Sequence, residues 1–170
     1  SGLDFASMAP QPDGDRWLDT GVCVRGPVVR DLDRVFISDW QFATGEELHC
    51  QPHAYPAPPG EAVAQVAASG PDTDHDAIYA GILSATMAAR ERIWIVTPYF
   101  IPDEPLFKAL VMQTRLGRDV RIIIPARSNH QIADLARTRY VRPLAQLGAR
   151  VYGCPRMVHA KLMVFDDHTA

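Results

Sequence analysis

The sequence predicts an α/β fold in which helices cover a mixed, largely parallel sheet. From residue 61 onward, short apolar runs typical of strands alternate with longer amphipathic runs typical of helices. The runs "IWIV" and "RIII" show no polar alternation, which indicates strands buried on both faces of a sheet. Both observations favour strands and helices that alternate along the chain around one sheet.

The first third of the chain predicts one strand, one helix and a linker. Residues 19–27, "DTGVCVRGP", predict a short strand that ends at a Gly-Pro pair. Residues 28–42 then predict an amphipathic helix, because apolar residues recur near helical spacing. Residues 51–60, "QPHAYPAPPG", hold four prolines, which neither a helix nor a central strand accepts. We therefore expect residues 1–50 and 61–170 to belong to different parts of the fold.

The remaining elements follow in regular order. Helices are predicted at residues 76–90, 103–117 and 130–148, and Pro143 is expected to kink or split the last of them. Strands are predicted at residues 62–69, 92–100, 119–125, 149–153 and 159–167.

Composition restricts the class of protein. Of the 170 residues, 47% are hydrophobic and 22% are charged, which predicts a folded soluble chain. The net charge of -3 gives no general electrostatic reason to expect nucleic acid as a partner. The three cysteines form no even set for disulfides. No apolar run is long enough to cross a bilayer, so we expect any membrane anchor to lie elsewhere in a longer protein.

The ends of the sequence predict a fragment. The chain opens at Ser1 without an initiator methionine and stops at Ala170, directly after a predicted strand. We therefore expect it to be a piece of a larger protein.

The segment "HAKLMVFDD" carries the strongest candidate site residues. In a strand, His159 and Lys161 would share one face about 6 to 7 Å apart, whereas Asp166, at an odd offset, would have to act from the strand end or a turn. Lysine is rare in this chain, with 2 lysines among 17 basic residues. An imidazole beside an ammonium suits nucleophilic attack on phosphorus. The alternative is a strand margin with a surface salt bridge.

The spacing from His159 through Lys161 to Asp166 resembles the signature motif of the phospholipase D superfamily. Further segments are similar to the second half of bacterial cardiolipin synthases: "RIWIVTPYFIPDEPLFKAL", "DVRIIIPARSNH" and "VAASGPD". Residues 19–40 are similar to the stretch that follows the first motif of those enzymes. The resemblance covers nearly the whole chain.

This resemblance implies a two-lobed sandwich with one motif from each lobe at a shared active site. Residues 1–50 would be the tail of the first lobe, residues 51–60 the linker, and residues 61–170 a second lobe truncated at its C-terminus. His159 would be one of two catalytic histidines, working through a phosphohistidine, Lys161 would bind phosphate oxygens, and Asp166 would orient an imidazole of this lobe or of the other.

The resemblance also implies the reaction and its setting. The activity would be phosphatidyl transfer that makes cardiolipin from phosphatidylglycerol, with no metal and no cofactor. The full-length protein would work at the bacterial cytoplasmic membrane. Because only one motif is present, the isolated fragment is expected to be inactive, and the first motif would come from the upstream chain or a second copy. The alternatives are a hydrolytic phospholipase D or nuclease of the superfamily, and a non-catalytic half-enzyme module.

Three smaller features suggest other sites. His49, Cys50 and His53 are a possible zinc cluster, although an ordinary linker is favoured. The run "SNHQ" from residue 128 follows a strand and precedes a helix, where either a phosphate site or simple N-capping is possible. Tyr99 and Phe100 follow another strand, where contact with an acyl chain or a headgroup is possible, although packing is favoured.

Overall fold

The structure is a computed structural model that describes residues 17–49, 60–70, 76–167 and 169. The chain divides into two compact units. One consists of residues 1–21 and 80–170, and the other consists of residues 22–79. The predicted linker at residues 51–60 lies, apart from Gly60, outside the described residues, so the division into lobes remains a prediction.

In the unit of residues 22–79, the described part of the chain contains a long helix, α1, Val29–Thr44. Its apolar residues recur at helical spacing as predicted, and it ends at Gly45, whose positive φ of 75° lets its N–H bond to the Gln41 carbonyl. Residues 62–69 were predicted as a strand, and that prediction is wrong. They have no regular structure and are mostly exposed, because a strand forms only where a partner pairs with its backbone.

The larger unit is a four-stranded sheet with helices between its strands. After helix α2, Ala77–Ala88, the chain forms β1, Arg92–Val96, and α3, Glu104–Arg115. It continues through β2, Asp119–Pro125, α4, Gln131–Gln146, β3, Arg150–Cys154, and β4, Leu162–Phe165. The strand order is β3-β2-β1-β4, with β1, β2 and β3 parallel and β4 antiparallel to β1. The predicted mixed, largely parallel sheet is confirmed.

One face of the sheet forms the core. Side chains alternate along β1 and β2, so every second residue points toward the helices. Ile93, Leu110, Ile122 and Leu144 have no exposed surface, and burying each such side chain contributes about 1.5 to 3 kcal/mol. The helices therefore hold the sheet through this face.

The other face of the sheet is more open, so the prediction that the strands are buried on both faces is wrong: Ile123 and Tyr152 on this face are 38% and 46% exposed, because the helices pack against the opposite face. The guanidinium groups of Arg92 and Arg121 lie 5.3 and 4.7 Å from the centroid of the Trp94 ring, whose Nε1 donates to Asp119 at 3.1 Å. A hydrogen bond from Arg121 holds the pKa of the Asp119 carboxyl below its usual value. Beside this group is a cavity of about 370 Å³ with largely apolar walls, lined by Val96, Ile123, Tyr152, Leu162 and Val164 among others.

Several element boundaries differ from the predictions. Residues 19–27 form no strand, and Leu18 makes only an isolated parallel bridge with Val158. Strand β4 begins at Leu162, three residues after His159. Pro143 does not split α4.

Helix α3 begins where the sequence predicted. Its N-cap is Asp103, whose side chain accepts a hydrogen bond from the Leu106 N–H, and a proline lies in its first turn.

The two ends of the sheet differ in what they carry. We call the end at which β1, β2 and β3 finish the carboxyl edge, and the end at which they start the amino edge. Because β4 is antiparallel, it starts at the carboxyl edge, where Leu162 pairs with Val96, and finishes at the amino edge, where Phe165 pairs with Ile93. Residues just before β4 and just after it therefore lie at opposite edges.

Candidate active site

His159 lies at the carboxyl edge and is fixed by its backbone. Its N–H donates to the Leu18 carbonyl at 2.7 Å, and the Leu18 N–H donates to the Met157 carbonyl at 2.7 Å. This short parallel pairing brings residues 17–19 against residues 157–160. The indole of Trp17 also contacts the imidazole, with 5.3 Å between ring centroids. The His159 side chain is 20% exposed, so it is positioned by packing and still accessible.

A carboxylate orients the imidazole of His159. The Asp19 side chain is only 6% exposed, and its Oδ2 lies 3.1 Å from His159 Nδ1. Its Oδ1 accepts from the Thr20 N–H at 2.8 Å, which fixes the carboxylate. A carboxylate can only accept, so Nδ1 carries the hydrogen and Nε2 of the neutral ring presents a lone pair. Nε2 is therefore the nitrogen that can attack or accept a proton.

Lys161 stands beside this reactive nitrogen. Its Nζ lies 3.2 Å from His159 Nε2 and donates to the His159 carbonyl at 3.1 Å. The ammonium is exposed at the carboxyl edge, where it can bind an anion next to Nε2. The structure thus brings His159 and Lys161 together, as the sequence predicted, although both precede β4 and neither lies within it.

The third residue of the motif lies at the opposite edge. Asp166 occupies the turn after β4 with a φ of 52°, a conformation that aspartate tolerates better than most residues. Its carboxylate accepts from three consecutive backbone N–H groups, those of residues 90–92, at 2.8 to 3.2 Å. Its own N–H donates to the Arg92 carbonyl. Asp166 therefore joins the end of β4 to the start of β1, and the carboxylate on His159 Nδ1 belongs to Asp19.

Sequence reasoning gave Asp19 no role. It is one of 20 acidic residues, and 140 positions separate it from His159, so its spacing to the motif carries no signal. It lies in the segment that resembles the stretch after the first motif of cardiolipin synthases, and this was the available indication. Only the backbone pairing of Leu18 with Val158 brings the two side chains together.

The loops after β1 and β2 complete the carboxyl edge. Tyr99 follows β1, and its hydroxyl donates to Asn129 Oδ1 in the loop after β2. The Tyr99 ring also contacts the His130 ring, with 5.4 Å between centroids. Asn129 and His130 of "SNHQ" thus form one cluster with Tyr99, whereas Phe100 is buried in the core.

Other expected features receive less support from the structure. No group of three histidine, cysteine or acidic side chains that could hold a metal occurs within residues 17–49, 60–70, 76–167 and 169. His49 is exposed, whereas Cys50 and His53 lie outside the described residues.

In the part of the chain that is described, no helix combines the length and apolarity that crossing a bilayer requires.

Comparison with known proteins places these observations in a family. Residues 82–170 match the family model described as "Cardiolipin synthase, PLD-like domain". A cardiolipin synthase from Alkalihalophilus pseudofirmus is 36% identical over 158 residues, which cover 91% of this chain and 31% of that protein. Cardiolipin synthase A from Pseudomonas fluorescens is 38% identical over 153 residues, covering 89% of this chain and 32% of that protein.

These matches concern only part of each relative. The chain spans about a third of the length of the curated relatives it matches. Among solved structures, a polyphosphate kinase from Porphyromonas gingivalis matches 53% of this chain and 13% of its own chain, with a TM-score of 0.39 and 17% identity. A likeness at that level adds nothing to the assignment of fold or function.

Proposed function

The chain belongs to the family of cardiolipin synthase PLD-like domains, and on that premise we propose that it supplies half of the active site of a phosphatidyltransferase. The substrate is phosphatidylglycerol, and the product is cardiolipin. The observation that carries this proposal is the arrangement at the carboxyl edge: Asp19 on Nδ1 of His159, and Lys161 beside Nε2. It is the arrangement that attack on a phosphodiester requires.

Two steps account for the transfer, and a second histidine, from the other motif, shares the work. In the first step one histidine Nε2 attacks phosphorus, the P–O bond to the leaving glycerol breaks, and the other histidine gives that oxygen a proton. In the second step the partner histidine, now without its proton, removes a proton from the acceptor hydroxyl, whose oxygen attacks phosphorus and breaks the N–P bond of the phosphohistidine. Cardiolipin leaves, and both histidines regain their starting state. His159 fits either role.

Lys161 and Asp19 support these steps in different ways. The Lys161 ammonium neutralises charge on the non-bridging oxygens as the phosphorus becomes five-coordinate, so the chain's own side chains supply positive charge there. Asp19 stabilises the positive charge that appears on the imidazole when Nε2 bonds to phosphorus or a proton. We assign Asp166 a positioning role, because its carboxylate binds the backbone of residues 90–92.

The wider assignment follows from the family. We propose that the chain contains the end of one lobe, residues 1–50, and most of a second, residues 61–170, with the first motif supplied by the rest of the polypeptide or a second copy. Alone, the chain would then be inactive. The complete enzyme would act on lipid at the bacterial cytoplasmic membrane.

A chimera tests this function. Residues 1–170 would replace the matching third of Pseudomonas fluorescens cardiolipin synthase A, so that the rest of that enzyme supplies the other motif. With labelled phosphatidylglycerol, we expect labelled cardiolipin. The reaction is quenched rapidly in alkali and not in acid, because phosphohistidine is acid-labile, and label should then be trapped on the protein.

A matched pair of variants gives this test its control. His159→Ala should abolish cardiolipin formation, whereas His49→Ala, an exposed histidine of the other unit, should leave it unchanged. Labelled phosphatidic acid without cardiolipin would show that the enzyme is a hydrolase and would contradict the proposed transferase activity. Full turnover in His159→Ala would overturn the site assignment.

A further inference from the structure

We propose that Tyr99, Asn129 and His130 bind the glycerol hydroxyls of the acceptor, so that they decide whether the phosphatidyl group passes to an alcohol or to water. This inference rests on the proposed function. We call these three residues the acceptor cluster.

The acceptor cluster lies at the same edge as His159. Tyr99 is three residues past the end of β1, and His159 is three residues before the start of β4. The two strands are neighbours in which Val96 pairs with Leu162, and neighbouring strands lie about 4.8 Å apart. Asn129 follows β2, the neighbour of β1 on its other side. The carboxyl ends of parallel strands are where α/β proteins bind their ligands.

Helix α4 holds the loop of Asn129 and His130 in place. Arg137 donates to the carbonyls of Pro125 and Ala126 at 2.7 and 2.9 Å, and also pairs with Asp134 at 3.1 Å. Asp134 in turn accepts from the Ser128 N–H at 2.9 Å. Because the Arg137 side chain is only 12% exposed and fully engaged with the loop, the loop is ordered before any ligand arrives.

The chemistry of the cluster matches an alcohol better than a phosphate. The Tyr99 hydroxyl orients the Asn129 amide by donating to Oδ1, which leaves the Nδ2 hydrogens available. Among the described residues, neither Asn129 Nδ2 nor the His130 ring nitrogens make a hydrogen bond, and both residues are exposed. An amide, a phenol and an imidazole both donate and accept, as paired hydroxyls do, whereas the cation that suits the phosphate is Lys161.

The chimera allows the donor and acceptor steps to be measured separately. Trapped label on protein reports the donor step, and the ratio of cardiolipin to phosphatidic acid reports the acceptor step. Asn129→Ala should lower that ratio by up to about tenfold, since one hydrogen bond to a hydroxyl contributes about 0.5 to 1.5 kcal/mol. The rate of protein labelling should stay within about twofold, which also shows that the variant is folded.

Alternative acceptors identify the feature that is recognised. With labelled free glycerol and labelled 1-propanol as competing acceptors and unlabelled phosphatidylglycerol as donor, the unaltered chimera should incorporate more glycerol than propanol into lipid, and Asn129→Ala and His130→Ala should reduce that preference. A reduced preference for glycerol in the variants would support binding of the hydroxyls themselves. If only the reaction with phosphatidylglycerol is affected and the preference for free glycerol is unchanged, the cluster does not bind the hydroxyls and the inference is overturned.

Matched controls exclude a general effect on the sheet. Tyr99→Phe should weaken acceptor selection because it releases the Asn129 amide, whereas Tyr152→Phe on β3 should not. Gln146→Ala, at the far end of α4, is the control for Asn129→Ala. If the cluster variants keep the product ratio and the glycerol preference of the unaltered chimera, this inference is overturned while the proposed function stands. A chimera that forms neither labelled protein nor cardiolipin would instead defeat the proposed function.

Discussion

The two edges of the sheet make opposite use of the same short motif. At the carboxyl edge, His159 and Lys161 present an imidazole nitrogen and an ammonium 3.2 Å apart to solvent. At the amino edge, Asp166 turns its carboxylate onto the backbone of residues 90–92. The strand between them, β4, has four residues, so the residues before it and after it lie at opposite ends of the sheet. The three motif residues thus do not lie together, because β4 runs from the carboxyl edge, where His159 and Lys161 lie, to the amino edge, where Asp166 lies.

This comparison shows why a motif aspartate need not touch the motif histidine. An antiparallel edge strand carries its two flanking residues to opposite ends of the sheet, so contact between them would require the strand to fold back. The carboxylate that the histidine needs can come from any segment that reaches the carboxyl edge. Here that segment is residues 17–19, which pair with residues 157–160. Variants at the two edges should therefore fail in different ways.

Asp19→Asn should give the largest effect. An asparagine at this position can donate to Nδ1 and so favour the wrong imidazole tautomer, a change that costs about 10⁴ in kcat in serine protease triads. We expect the chimera's transfer rate to fall by about 10³ to 10⁴, with its thermal unfolding nearly unchanged. Asp39→Asn, an exposed aspartate on α1, is the control. A rate within tenfold of the unaltered chimera would mean that Asp19 does not orient the catalytic imidazole.

Lys161→Ala should rank second. Removing one positive group that stabilises charge in the transition state costs about 10² to 10³ in kcat. The chain contains one other lysine, Lys108, which is exposed on α3 and paired with Glu104 at 2.6 Å. Lys108→Ala should leave the transfer rate unchanged, so the pair separates a local role from loss of net charge. Equal losses in both variants would contradict the role given to Lys161.

Asp166→Ala should lower stability more than chemistry. It leaves backbone N–H groups of residues 90–92 without their acceptor and places alanine at a φ of 52°. We expect a loss of about 2 to 3 kcal/mol in the free energy of unfolding, measured by urea denaturation. The neighbouring Asp167→Ala, which removes only an exposed ion pair with Arg92, should cost less than about 1 kcal/mol. A stable Asp166→Ala variant without activity would return Asp166 to the catalytic group.

The sequence predicted the regular parts of this molecule better than its connections. The β1 to β3 strands and the helices between them are amphipathic or apolar over many residues, so their pattern alone indicates them. The strand predicted at residues 62–69 depends on a pairing partner, which no local pattern can supply. Likewise His159 and Lys161 are two residues apart and were found, whereas the pairing of His159 with Asp19 crosses 140 positions.

The smallest expected effect concerns the open face of the sheet, between the two edges. The Arg121 hydrogen bond holds the pKa of Asp119 below its usual value, so the ionised carboxylate stabilises the folded state at neutral pH. That contribution is present above the unfolded pKa and is lost as the pH falls through the lower folded pKa. Asp119→Asn should therefore reduce stability at pH 7 by less than about 1 kcal/mol, because the pair is partly exposed. The difference between Asp119→Asn and the unaltered chain should shrink as the pH falls below about 4, whereas a constant difference would assign the effect to packing against Trp94.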